Sequence, residues 1–179
     1  MNSDNTSTNA ETPPDASGAG IGAMRLALAI AGILTILDQI TKAAIEKYSA
    51  DLPVAVIPGF FDIVHVGNTG AAWGMFQGQR WPLLAVAIVF LVVIALRIKR
   101  LTEGWTERYC AMGMIVSGIL GNSIDRIWRG AVVDFLDFHI AGRHWPAFNV
   151  ADSAICVGVG IYMISLFLRP TVKHGGESK

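Results

Sequence analysis

Nine polar side chains carry most of the chemistry in an otherwise apolar chain: Asp38, Lys42, Asn68, Asn122, Asp125, Arg126, Asp134, Asn149 and Asp152. Asp152 lies just inside an apolar run, in Phe148-Asn149-Val150-Ala151-Asp152-Ser153. A carboxylate at the centre of a membrane helix costs roughly 2.5–3.5 kcal/mol, and less toward its end. Either Asp152 is a first-turn acid favoured by the helix dipole, or it serves a site. Asp134 is flanked by apolar residues on both sides, in Val132-Val133-Asp134-Phe135, and this favours burial over an ordinary loop acid. Asp137, three residues on, reads as an ordinary loop acid. Asp38 and Lys42 stand four apart, the spacing of a helical ion pair. Asn122, Asp125 and Arg126 share one helix face. Asn68 opens Asn68-Thr69-Gly70-Ala71-Ala72-Trp73, where Asn and Gly suit a turn.

The chemistry open to this inventory is narrow. Ser117 and Ser153 have no evident base. His139 and His144, five apart, are too sparse for a metal centre and read as surface-loop histidines. No metal and no cofactor is expected. What remains is a pair of carboxylates in a partly dry site. Two close carboxylates do not readily both ionise, so they share one proton. One then acts as general base on a water while the other donates to a carbonyl oxygen. That is hydrolysis of a peptide bond without a covalent intermediate.

Such groups need a scaffold, and composition names it. The chain has 179 residues, 53% hydrophobic and only 16% charged. A typical soluble domain has about a quarter of its residues charged. The apolar residues cluster into four runs, about Met24–Ala44, Pro82–Leu96, Tyr109–Ile124 and Val150–Leu168. The fold class expected is an all-α membrane protein of four transmembrane helices with a small extracytoplasmic sheet. A span needs ~20 mainly apolar residues, so the second and third runs must borrow their polar ends. Gly113, Ser117 and Gly121, and likewise Ala154 and Gly158, recur every four residues and allow close helix approach in lipid. Cys110 and Cys156 read as small buried hydrophobes.

Charge sets the orientation. Arg25, Arg97, Lys99, Arg100, Arg108, Arg169, Lys173 and Lys179 fall on one side, and Lys42, Lys47, Arg80, Arg126, Arg129 and Arg143 on the other. The richer side is cytoplasmic by the positive-inside rule. Trp73, Trp81, Trp128 and Trp145 then lie at the outer interface, and all nine polar residues sit at the outer boundary. Leu52–Val66 reads as extended, forming the sheet, and Ala131–Ala147 as a further outer loop. Residues 1–23 read as a disordered tail before an uncleaved first span, 24–169 as the membrane domain and 170–179 as a cytoplasmic tail. Net charge is zero with no basic run, so nucleic acid is not an expected partner. Two other classes fit membrane carboxylates. A proton or cation transporter predicts a polar path to the cytoplasm, and no internal repeat supports it. An assembly subunit predicts tolerance of Asp134→Asn and Asp152→Asn.

Five segments taken together resemble the lipoprotein signal peptidase family, also called signal peptidase II. They are Asp38-Gln39-Ile40-Thr41-Lys42, Asn68-Thr69-Gly70-Ala71-Ala72, Gly121-Asn122-Ser123-Ile124-Asp125-Arg126, Val132-Val133-Asp134-Phe135 and Phe148-Asn149-Val150-Ala151-Asp152-Ser153. They occur in the family's order across about Met24–Leu168. Ser117 stands where Gly is common and Trp73 where Phe is common. The resemblance implies a catalytic pair, Asp134 and Asp152, supported by Asn68, Gly70, Asn122, Arg126 and Asn149. Asp38, Lys42 and Asp125 match further family positions with structural or orienting roles. It implies a diacylglyceryl-modified prolipoprotein as substrate, cut just before the lipidated cysteine, and the antibiotic globomycin as inhibitor. The implied setting is a multi-pass monomer among the lipids of the bacterial inner membrane, with both termini cytoplasmic and the site near the outer leaflet.

Overall fold

A computed structural model describes residues 19–71 and 75–169. The tail up to residue 18, Trp73, and the segment from 170 with Lys173 and Lys179 lie outside the described residues. The element order is α1 (Ala19–Lys47), β1 (Val54–Ile57), β2 (Phe61–Asn68), α2 (Arg80–Thr102), α3 (Thr106–Trp128), β3 (Val132–Ile140), β4 (Arg143–His144) and α4 (Val150–Leu168). The protein is mostly helical, and α1, α2 and α4 are each long and apolar enough to cross a membrane. The third apolar run forms a helix of similar length but lower hydropathy, because it buries Arg108, Ser117, Asn122 and Asp125. α1 begins at Ala19, so the helix takes up five residues expected in the tail.

Helix ends follow local chemistry. α2 tolerates Pro82 because the first turn has no partner for that amide. Glu103 and Gly104, both at positive φ, stop it, and Lys99 and Arg100 in the last turn suit the dipole there. α4 opens on Asn149, whose side chain accepts the Asp152 amide at 3.0 Å. Asp152 returns the bond to the Asn149 amide at 3.3 Å, closing a capping box.

α1, α3 and α4 pack closely, and α2 leans on α3. Glycine sets the approach at two positions. A methyl group on Gly121 would fall 2.5 Å from Asp38 Oδ2, and one on Gly118 would strike the Ala151 carbonyl. Exposed Leu28, Ile36, Phe90 and Phe167 form the lipid-facing belt. Cys156 is exposed on that belt and not buried as expected, because in lipid an apolar side chain gains nothing by turning inward.

The four strands form an antiparallel sheet in the order β1-β2-β3-β4. The stretch expected as a loop at Ala131–Ala147 is largely β3 and β4. β3 hides from the eye because Val132, Val133, Asp134 and Phe135 are all buried, so no alternation marks it. β2 pairs Ile63 with Leu136 but Val66 with Asp134, so it carries one extra residue opposite Phe135. This bulge lies beside Asp134. The expected loop acid Asp137 is a buried strand residue bonded to His144 at 2.8 Å, and His139 bonds Asp62 at 3.2 Å. Both histidines are therefore strand residues with acid partners; His144 is exposed and His139 is largely covered.

Candidate active site

Three elements converge on Asp134 and Asp152. β3 brings Asp134, the first turn of α4 brings Asp152, and Asn122 stands between them on α3. Asn149 Nδ2 donates to Asp134 Oδ1 at 2.7 Å, and Asn68 Nδ2 donates to Asp134 Oδ2 at 3.0 Å. Asn122 Nδ2 donates to Asp152 Oδ1 at 2.8 Å, while Asp152 Oδ2 accepts the Asn149 amide. The two amides are linked in turn, with Asn149 Nδ2 donating to Asn122 Oδ1 at 3.2 Å. Each carboxyl oxygen thus has one fixed donor, and one amide pair fixes both acids. Asp152 is the first-turn acid that helix electrostatics favours, and the same carboxyl also belongs to the site.

Burial pushes the Asp134 carboxyl up to about 6, and the nearby charge of Asp152 adds to the rise. Hydrogen bonds from Asn68 and Asn149 work against it. The sign of one consequence follows directly. Asp152→Asn removes the neighbouring negative charge, so Asp134 should ionise at lower pH than in the parent. Infrared titration of the Asp134 carboxyl stretch tests this, and an unchanged or higher midpoint would contradict it.

Behind the pair lies a buried charge cluster. Lys42 is fully buried, with Nζ 2.8 Å from Asp38 Oδ2, 2.8 Å from Asp125 Oδ2 and 3.0 Å from Asn122 Oδ1. The expected helical ion pair is therefore a three-centre cluster joining α1 to α3. Asp38 also accepts the Ala151 amide at 2.9 Å, which ties α1 to the start of α4. Asp125 accepts the Val133 amide at 3.2 Å, which ties α3 to β3. Asp38, Lys42 and Asp125 thus aim the elements that carry the acids.

Two residues of this cluster were not singled out from the sequence. Gln39 donates to Asp125 at 3.1 Å and to Asp38 at 3.1 Å. Arg129 pairs with Asp125 at 2.6 Å and with Glu46 at 2.8 Å. An Asp125–Arg129 spacing of four was the signal available for the second.

Arg126 and Gly70 close the other side. Arg126 Nη2 donates to the Gly70 carbonyl at 2.8 Å, and Nη1 to the Asn122 carbonyl at 3.2 Å. Its Nε is buried without a hydrogen-bond partner among the described residues. Asn68 Oδ1 accepts the Gly70 amide at 2.9 Å, which makes the expected turn. A side chain at Gly70 would collide with the Met75 carbonyl. The ten residues expected at the site therefore form one connected network, in which paired acids, a half-buried arginine and amide donors could polarise a carbonyl and activate a water.

Comparison with known proteins gives a consistent result. Residues 30–168 match the family model described as signal peptidase (SPase) II. A lipoprotein signal peptidase from Nitratidesulfovibrio vulgaris (strain DP4) is 40% identical over 162 residues, covering 86% of this chain and 96% of that protein. One from Paraburkholderia phytofirmans is 40% identical over 90% of this chain and 95% of that protein. A bacterial membrane enzyme solved by the in meso method at 2.3 Å superposes with a TM-score of 0.74 at 33% identity, covering 86% of this chain and 94% of that one.

Proposed function

Because the chain belongs to the signal peptidase II family, we propose that Asp134 and Asp152 are the catalytic pair with which it hydrolyses its substrate. It is a membrane-embedded protease that removes signal peptides from prolipoproteins. The observation that carries the assignment is the Asn122–Asn149 amide pair, which holds one oxygen of each carboxyl.

The raised Asp134 lets the pair hold a single proton near neutral pH. The ionised member takes a proton from a water lying between the acids. That water attacks the scissile carbonyl carbon, and the protonated member donates to the carbonyl oxygen. Collapse of the tetrahedral intermediate sends a proton to the leaving amine and regenerates the shared-proton state. Asn68, Asn122 and Asn149 keep the two carboxyls in place, and preorganised donors of this kind cost no rearrangement during reaction. The Nε of Arg126, without a hydrogen-bond partner among the described residues, is a donor for the substrate backbone.

In this reading α3 is a fourth span, completed by polar ends that are buried in protein. The short α2–α3 turn, flanked by Arg97, Lys99, Arg100 and Arg108, is cytoplasmic. Both chain ends share that side of the inner membrane, and the site faces the outer leaflet. Exposed Trp81, Trp128 and Trp145 at the other ends of the helices suit headgroup depth. The unit runs from the start of α1 at Ala19 to residue 169, working as a monomer among lipids. Its substrate is diacylglyceryl-modified and is cut just before the lipidated cysteine; globomycin competes for the same site.

Purified protein in lipid should release the signal peptide from a diacylglyceryl prolipoprotein, with mass spectrometry placing the new N-terminus at the lipidated cysteine. Globomycin should block the release. Cleavage elsewhere, or equal cleavage with globomycin present, would overturn the substrate assignment.

A further inference from the structure

α2 leans on α3 without comparable contact to α1. The space left between α1 and α2, with α3 behind it, is an apolar cavity of about 330 Å³. Leu28 and Ala31 line it from α1, Leu91, Ala95 and Ile98 from α2, and Gly113 from α3. Every described residue on its wall is apolar. An apolar cavity of roughly 150 Å³ already stays dry and takes up a hydrocarbon.

Position separates this cavity from the paired acids. Ala31, its last residue on α1, stands seven residues before Asp38, roughly 10 Å along the helix. Ile98 lies near the end of α2, and Leu91 is again roughly 10 Å above it. In the orientation proposed above, that range is the cytoplasmic half of a ~30 Å hydrocarbon core. Met24 and Ile98 pack against the cluster of Ala23, Ala27 and Tyr109 and close the lower end. The mouth therefore opens sideways to the bilayer, where Leu28 and Ala95 are exposed.

Charge stands beside that mouth and not on its wall. Arg25 comes three residues before Leu28, and Lys99 four after Ala95, so each lies below a mouth residue on the same helix face. Both are exposed, and neither has an ion-pair partner among the described residues. α2 carries no Asp or Glu, and α1 none before Asp38. Two uncompensated cations at the cytoplasmic boundary, below a lateral apolar slot, match a hydrocarbon chain carrying a negative headgroup. We propose that this cavity binds one anionic phospholipid of the cytoplasmic leaflet, with an acyl chain between α1 and α2 and its headgroup phosphate against Arg25 and Lys99. That leaflet carries the negative surface potential, and basic pockets between helices on its side suit anionic headgroups. A free anion gains nothing from the slot, and a lipid of no net charge gains little from the cations. The proposal rests on the orientation of the helices and not on the nature of the substrate.

Native mass spectrometry of the purified protein, titrated with equal amounts of dioleoyl phosphatidylglycerol and dioleoyl phosphatidylcholine, tests this. The parent should retain one phosphatidylglycerol in preference to phosphatidylcholine. Each cation near an anionic headgroup contributes about fivefold, so Arg25→Gln with Lys99→Gln should lower affinity for phosphatidylglycerol about thirtyfold. Arg97→Gln with Arg100→Gln removes the same charge at the same depth, from other sides of α2, and should leave that affinity as it is. Ala95→Phe fills the slot from its lipid-facing side, where folding tolerates bulk, and should abolish retention of both lipids. Equal losses in the two charge variants would mean general attraction to a basic surface and overturn the proposal. Full retention in a folded Ala95→Phe would overturn it as well. Displacement of the lipid by an unlipidated signal peptide, or a dimer that dissociates in Ala95→Phe, would assign the groove to a protein helix and overturn it. Should Ala95→Phe fail to fold, the two charge variants decide. None of these readouts needs cleavage, so they stand whether or not the protein cuts a prolipoprotein.

Discussion

Asp134→Asn and Asp152→Asn should each lower cleavage on the order of 10³-fold or more, with the protein still folded. A positioned acid or base contributes typically 10²–10⁴ in rate, and here each variant removes both the base and the shared proton. Asn keeps the shape of Asp but has one acceptor oxygen, so at each site it keeps one of the two bonds and turns its amide donor toward the other partner. At position 152 the remaining oxygen can keep the Asn149 amide and with it the capping box, at the expense of the bond from Asn122, so unfolding should move by about 1–3 kcal/mol at most. Ala at 152 would confound the test, because a lost helix cap costs about 1 kcal/mol by itself. The double variant should be little worse than either single one, since groups acting as a unit are not additive. Initial rates on lipidated prolipoprotein check all three. A loss of only a few-fold in both single variants would sink the catalytic assignment and favour a binding role for the acids.

Lys42→Met should produce the largest loss of stability. Lys42 is fully buried between Asp38 and Asp125, which are fully buried themselves. Removing one partner of a buried ion pair costs about 3–5 kcal/mol, because a charge is left without compensation. Asp125 retains Arg129, so Asp38 bears most of the damage. Lys42→Met combined with Asp38→Leu should therefore recover part of the loss. Unfolding in detergent at fixed pH measures both variants. A loss below about 1 kcal/mol for Lys42→Met would mean that water reaches the cluster. Cleavage should fall as well, since Lys42 also anchors Asn122.

The parts of this structure that were legible in the sequence are those with local signatures. Apolar runs announced α1, α2 and α4, and small residues at intervals of four announced the close packing of α3. Asp152 is a first-turn acid by position alone, whereas the cap made by Asn149 emerged only with the structure. β3 was not legible, because a strand buried along Val132–Phe135 shows no alternation and Asp134 and Asp137 mimic loop acids. Their strand character depends on β2, some seventy residues earlier. The network behind the acids was illegible for a related reason. Lys42 and Asp38 display their spacing, but Asp125 joins them only through the fold. Gln39 is a neutral amide in a helix and carries no pattern of its own. Cys156 was misread because burial rules drawn from water do not hold against lipid.

The surplus residue in β2 has a consequence for how this protein tolerates change. Val64 and His65 together face the single Phe135, and pairing is regular on either side. Deleting one of them would leave every flanking pair intact and make a flatter, more uniform sheet. The sheet would gain regularity, yet the bend that turns Asn68 and Asp134 toward α4 would go. Length at this point is thus a functional property independent of side-chain identity. Substitutions at Val64 or His65 alter a surface, whereas a single-codon deletion there alters the aim of the active site.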